Sequence, residues 1–186
     1  MIWKKHLEIP EGSHAMFSPS QYHWMNYDPE KLKQVYLNHM AVKRGTELHA
    51  FACTCINLKQ KLPKSKKTLN MYVNDAIGFN MRPEQKLFYS KYFYGTADAI
   101  SLKNDILRIH DLKTGLTPAS LHQLEAYAAL FFLDYDIRPG DVQMELRIYQ
   151  NDDILYGYPS AIDILPIMDK IKLFNNLIEE IEGGEV

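Results

Sequence analysis

Cysteine is scarce in this chain, long apolar runs are missing, and neither sign of charge dominates. Cys53 and Cys55 are the only cysteines, too few for a disulfide framework. On a helix they would stand about 200° apart around the axis, so one metal ion is not easily held by both. They read as reduced, largely buried thiols of an intracellular protein. The longest apolar run, "AYAALFFL", falls far short of the ~20 residues a membrane span requires. The opening "MIWKKHLEIPEG" lacks the apolar centre of a secretory signal. A net charge of -2 gives no general attraction to nucleic acid, so such binding would need a local patch. No internal repeat or low-complexity tract is present. These absences point to a cytosolic or nucleoid-associated protein, or one made inside an infected cell, with no membrane partner.

What is present fits one globular domain over residues 1–186, with 46% hydrophobic and 24% charged residues. The N-terminal part, about 18–85, reads as helical. "SPSQ" opens a short helix, and Asp28-Pro29-Glu30 is a helix start with proline at the first position. The helix from Pro29 is expected in two pieces. The second carries Val42, Leu48, Ala52 and Ile56 near helical spacing and ends before Pro63. "LKQKLPKSKK" places Lys59, Lys61, Lys64, Lys66 and Lys67 close together, as a basic patch or simply a solvated loop. A further helix is expected over 65–80. The sheet and its helix occupy about 88–160. "PEQKLFYSKYFYGTADAISL" reads as one extended segment and "ILRIHDLKT" as a second. "LTPASLHQLEAYAALFFLDY" reads as a helix with Leu121, Leu124, Ala128, Phe131 and Phe132 on one stripe. "DVQMELRIYQ" and "ILYGYPSA" form two more strands around Asn151-Asp152-Asp153. An amphipathic helix closes the chain over about 162–181. The order predicts an α/β fold with a mixed central sheet flanked by helices.

The strands around "KND" can be registered directly. A two-residue loop at Asn104-Asp105 suits a tight hairpin. It pairs Lys103 with Ile106, Leu102 with Leu107, Ile100 with Ile109, Asp98 with Asp111 and Thr96 with Lys113. The last four pairs share a face, because side chains alternate along a strand. Two carboxylates directly opposite would lie about 5 Å apart and repel. A hard divalent cation, Mg²⁺ or Mn²⁺, resolves that conflict, with Lys113 beside it. An equal alternative sets the acids at a solvated strand end, with Lys113 neutralising them.

Together, "GTAD" (95–98), "DLKTG" (111–115) and "QLEAY" (123–127), preceded by "RGTELHA" with Gly45 and His49, resemble the PD-(D/E)XK nuclease superfamily. The similarity is to its RecB-like exonuclease branch of single-domain phage-type proteins. It runs from Ser18 to about Leu133. The resemblance implies a restriction-endonuclease-like sheet. It implies His49, Asp98, Asp111 and the carbonyl of Leu112 as metal ligands. Asp98, Asp111 and Lys113 would be the catalytic set. Gln123 and Tyr127 would line the DNA side, where Ser18, Gln21, Lys64, Lys66 and Lys67 would also contact the substrate. Ala97 stands where the superfamily has its proline, which leaves the neighbouring carboxylate intact. The cysteines that hold an iron–sulfur cluster in many relatives are missing, so no cluster is expected.

The implied activity is Mg²⁺- or Mn²⁺-dependent exonucleolytic hydrolysis of single- or double-stranded DNA, with ends preferred. Phage recombination, replication or DNA processing is the expected setting, with proteins of those pathways as partners and homo-oligomers open. A structure-specific endonuclease of the same fold is the alternative, as is a nuclease-like domain that only binds DNA or protein.

Overall fold

The computed structural model describes residues 6–10 and 12–184. Residues 1–5 and 11, within the opening stretch read for signal character, lie outside the described residues. Contacts divide the chain into two compact units, Met1–Lys43 and Arg44–Val186.

The first unit holds a 3-10 helix, Pro19–Asn26, broken at Gln21 by non-helical backbone. Ser18 precedes it and is tied locally: its hydroxyl shares a 2.6 Å hydrogen bond with Ser20, and its carbonyl accepts from the Trp24 indole at 3.0 Å. Asp28 then caps helix α1, Pro29–Asn57, by accepting the Lys31 N–H at 2.7 Å. The helix start read from Asp28-Pro29-Glu30 is therefore found. The expected division of this helix is not, because α1 runs unbroken through Gly45. Val42, expected on the buried stripe, is exposed.

The second unit adds α2 (Thr68–Gly78), α3 (His122–Asp134) and α4 (Ala161–Gly183) around a five-stranded sheet. Its strands are β1 (Arg82–Ser90), β2 (Phe93–Lys103), β3 (Ile106–Leu112), β4 (Gln143–Gln150) and β5 (Asp153–Gly157). They lie in sequence order. Neighbours are antiparallel except β3 and β4, which run parallel with α3 as the crossover. The architecture is thus α/β, a mixed sheet flanked by helices.

α1 stops at a Schellman turn: Gln60 N–H reaches the Cys55 carbonyl, Lys59 N–H reaches Ile56, and Lys59 takes φ 53°. Both two-residue hairpin loops, Asn104-Asp105 and Asn151-Asp152, have positive φ at both positions, as tight hairpins with the strand's twist require. The segment expected as one strand from Pro83 is instead the β1–β2 hairpin. Its turn, Lys91-Tyr92, lacks glycine, proline or asparagine. The Ser90 hydroxyl supplies the turn chemistry by accepting the N–H groups of Tyr92 (3.2 Å) and Phe93 (3.3 Å). α3 begins at His122, later than expected, and Leu121 packs beside Gly157.

Alternation along the strands sends side chains to two cores. Ile100, Leu107, Ile109, Leu146 and Ile148 meet Leu124, Ala128 and Phe132 of α3 and Ile164 of α4. Ala99, Leu112 and Tyr149 meet Ala52, Cys55 and Ile56 of α1 and Tyr72, Val73 and Ala76 of α2. His110 is fully buried on this second side, shares a 3.3 Å contact with the Tyr149 hydroxyl, and packs edge-on to Phe79. Among the described residues, no helix is long and apolar enough to cross a membrane.

Candidate functional site

The β2–β3 hairpin holds the register read from its loop: Lys103 pairs with Ile106, Leu102 with Leu107 and Ile100 with Ile109. The ladder ends at Ala99 and His110, so Asp98 and Asp111 are not ladder partners, and neither are Thr96 and Lys113. β3 stays with β4 there, since Lys113 N–H donates to the Tyr149 carbonyl at 2.9 Å. Asp98 Oδ2 accepts the Leu112 N–H at 2.9 Å in place of a backbone carbonyl. This shift replaces head-on opposition of two acids with a carboxylate-to-amide bond. It also ties the Leu112 peptide to the acids.

Three neighbours surround Asp98. From α1, His49 Nδ1 lies 3.4 Å from Asp98 Oδ2. From β1, Glu84 occupies the position opposite Asp98, between the ladder pairs Pro83–Ala99 and Gln85–Ala97. His49, Glu84 and Asp98 each offer a ligand atom within 4.8 Å of the others. From β3, the Asp111 charge acts on Asp98. Burial first, and then the Asp111 charge, push the Asp98 carboxyl up to about 6; the Leu112 N–H and His49 pull less strongly the other way.

Asp111 heads a second group. Its side chain is only 5% exposed, and Oδ2 accepts no hydrogen bond. Lys113 Nζ stands 3.0 Å from that oxygen but out of hydrogen-bond alignment, and it donates to Oδ1 at 3.2 Å. The same ammonium donates to Gln123 Oε1 of α3 at 2.7 Å. Lys113 therefore bridges the acid and the first turn of α3.

Two motif glycines act by leaving room. A Cβ on Gly45 would meet Thr114 Oγ1 at 2.8 Å, so α1 approaches the "KTG" segment closely only with glycine there. A Cβ on Gly95 would meet the Tyr127 ring at 2.8 Å. Tyr127 accordingly lies across β2, one turn of α3 beyond Gln123.

The sequence-derived residues thus separate by place. His49, Asp98, Asp111, Leu112, Lys113 and Gln123 come together, with Tyr127 adjoining over Gly95. Lys64, Lys66 and Lys67 are exposed in the loop before α2. That loop reaches the same end of the sheet through Thr68, whose N–H and hydroxyl both donate to Asp152 in the β4–β5 turn. Ser18 and Gln21 belong to the first unit. Glu84 was not singled out from sequence: the Lys91-Tyr92 turn carries no turn signature, and the β1–β2 register shifts by one between Phe88 and Ser90, so counting back from the turn would set Glu84 against Ala99 rather than Asp98.

The donor set is carboxylate oxygen with one imidazole, which suits a hard divalent cation. The buried Asp111 oxygen without a hydrogen bond and the raised Asp98 fit such an ion. Neither a known family model nor a curated protein matches the sequence.

Proposed function

We propose that this protein is a metal-dependent deoxyribonuclease of the PD-(D/E)XK type with a restriction-endonuclease-like sheet, acting as an exonuclease. The observation that carries the reading is Asp111, a buried carboxylate ion-paired with Lys113 and joined to Asp98 through the Leu112 amide. A lone surface acid–lysine pair would be hydrated and would need none of this burial.

Asp98, Asp111 and the Leu112 carbonyl would hold Mg²⁺ or Mn²⁺. When bound, such an ion polarises a phosphate oxygen and lowers the pKa of water. Lys113, held between Asp111 and Gln123, is positioned to donate to a phosphate oxygen as charge builds there. Gln123 aligns that ammonium, and Tyr127 stands one turn of α3 further on, over Gly95. The exposed lysines before α2 lie at the same end of the sheet and supply a basic approach for the phosphate backbone.

The test uses end-labelled linear and closed circular DNA with Mg²⁺, Mn²⁺ or chelator. Linear DNA should be lost only with metal, and Lys113→Ala should lower the rate by about 100-fold or more. Cleavage of circles would make the protein an endonuclease. Salt-sensitive binding without cleavage would leave a DNA-binding domain.

A further inference from the structure

The β1–β2 hairpin overhangs the rest of the sheet. β2 pairs with β1 from Phe93 to Ile100, whereas its ladder with β3 begins only at Ala99. On this overhang Leu87 belongs to the core beneath α3 and Gly95 lies against the Tyr127 ring, so both face α3. Alternation sends Lys86 and Phe88, with their partners Thr96 and Tyr94, to the opposite face, together with Asp98. Phe88 and Tyr94 stack there, with ring centroids 6.5 Å apart and planes 26° from parallel. They nevertheless stay 55% and 68% exposed. β1 is an edge strand, where exposed apolar side chains invite association with other chains. A cross-strand aromatic pair does steady a hairpin, but that role does not account for what lies in line with it. Lys86 is exposed, and among the described residues its ammonium forms no hydrogen bond or ion pair. At the rise of a strand, the Lys86–Thr96 pair lies about 7 Å from Asp98 and the Phe88–Tyr94 pair about 13 Å. One face thus carries, in order, an acid of the candidate site, a lysine and two stacked rings.

We infer that the Phe88–Tyr94 pair is a stacking platform for the bases of an unpaired DNA strand, with Lys86 taking a phosphate between the platform and the acids. The assignment rests on the nuclease reading and deepens it, because it makes single-stranded DNA the preferred substrate. Every base has a π-face, so such a platform grips a strand without regard to sequence. Bases inside a duplex are already stacked on one another and cannot reach it. The alternation of cation and aromatic surface along one face matches a strand that alternates phosphate and base.

The experiment is fluorescence anisotropy of the intact protein, in chelator, with a labelled oligothymidylate, the same backbone made wholly abasic, and a blunt duplex. Wild type should bind the oligothymidylate more tightly than either of the others. Phe88→Ala and Tyr94→Ala should each weaken that binding by about 10-fold and leave affinity for the abasic strand unchanged, which also shows that the variants are folded. Phe88→Tyr and Tyr94→Phe keep the rings and should bind like wild type. Undiminished binding in both alanine variants, an equal loss on both single strands, or a duplex held as tightly as the oligothymidylate would overturn the platform. No binding of any of the three, with a self-association of the protein that Phe88→Ala abolishes, would also overturn it and assign the rings to contact between copies. Base-dependent binding by a protein that cleaves no DNA with Mg²⁺ or Mn²⁺ would overturn the nuclease reading and leave the platform standing.

Discussion

Asp98 shows how one residue carries the tension of the site. Its carboxyl is pushed from 3.8 to about 6, chiefly by burial and then by Asp111. Folding thus favours the protonated form. The stability this group contributes is fully present below pH 3.8 and is lost as pH rises through about 6. Without divalent ions, Asp98→Asn should raise unfolding free energy at pH 8 by about 1–3 kcal/mol and leave it unchanged at pH 4. Denaturant melts at the two pH values, in chelator, check this. Gly45 gives a second expectation with a decisive sign. In an isolated helix Gly→Ala stabilises by about 1 kcal/mol. Here the added Cβ meets Thr114 at 2.8 Å, so Gly45→Ala should destabilise by about 1–3 kcal/mol and slow cleavage. Stabilisation of the variant would show that Thr114 simply moves aside. Asp98, Asp111 and Lys113 were legible in sequence because alternation and a two-residue loop place them on one face. The bond from Leu112 to Asp98 was not, because strand pairing alone does not reveal where a ladder lets go.

Among the elements, hairpins were readable where loop chemistry announced them. Asn104-Asp105 and Asn151-Asp152 tolerate positive φ, and both turns formed where expected. The β1–β2 turn stayed hidden because a serine hydroxyl outside its two central residues does the work. Ser90→Ala removes the acceptor for two amides and should cost about 0.5–1.5 kcal/mol, read from a shifted urea midpoint at constant slope. The unbroken α1 has a related explanation. Gly45 is poor helix chemistry taken alone, and the close approach of Thr114 accounts for its presence. His110 adds an acid-side dependence of its own. Burial first, then the Arg147 and Arg108 charges, hold its imidazole well below its ordinary range. It contributes stability that is present above about pH 6.5 and lost as pH falls, opposite in sign to Asp98.

For the whole molecule, near-neutral charge means that the proposed affinity for DNA must be local. The exposed lysines before α2 are the expected source, so replacing Lys64, Lys66 and Lys67 with alanine should flatten the dependence of log affinity on log salt by about 2–3. Manganese binding should be unchanged in that variant, since Thr68 and Asp152, rather than the lysines, anchor the loop to the sheet. A slope equal to wild type would move the DNA path elsewhere.

Strand order has a consequence for the timing of assembly. Because the strands lie in sequence order, β1 to β3 form a meander of short-range contacts, while the β3–β4 pairing must wait for α3 to cross over. Local contacts form faster than distant ones. His49, Glu84, Asp98, Asp111, Lys113 and Gln123 all precede β4 in the chain. During synthesis the carboxylates therefore emerge and gather before the strand that buries them, with solvent still able to screen their repulsion. Docking of β4 beside β3 is the step that removes that screening.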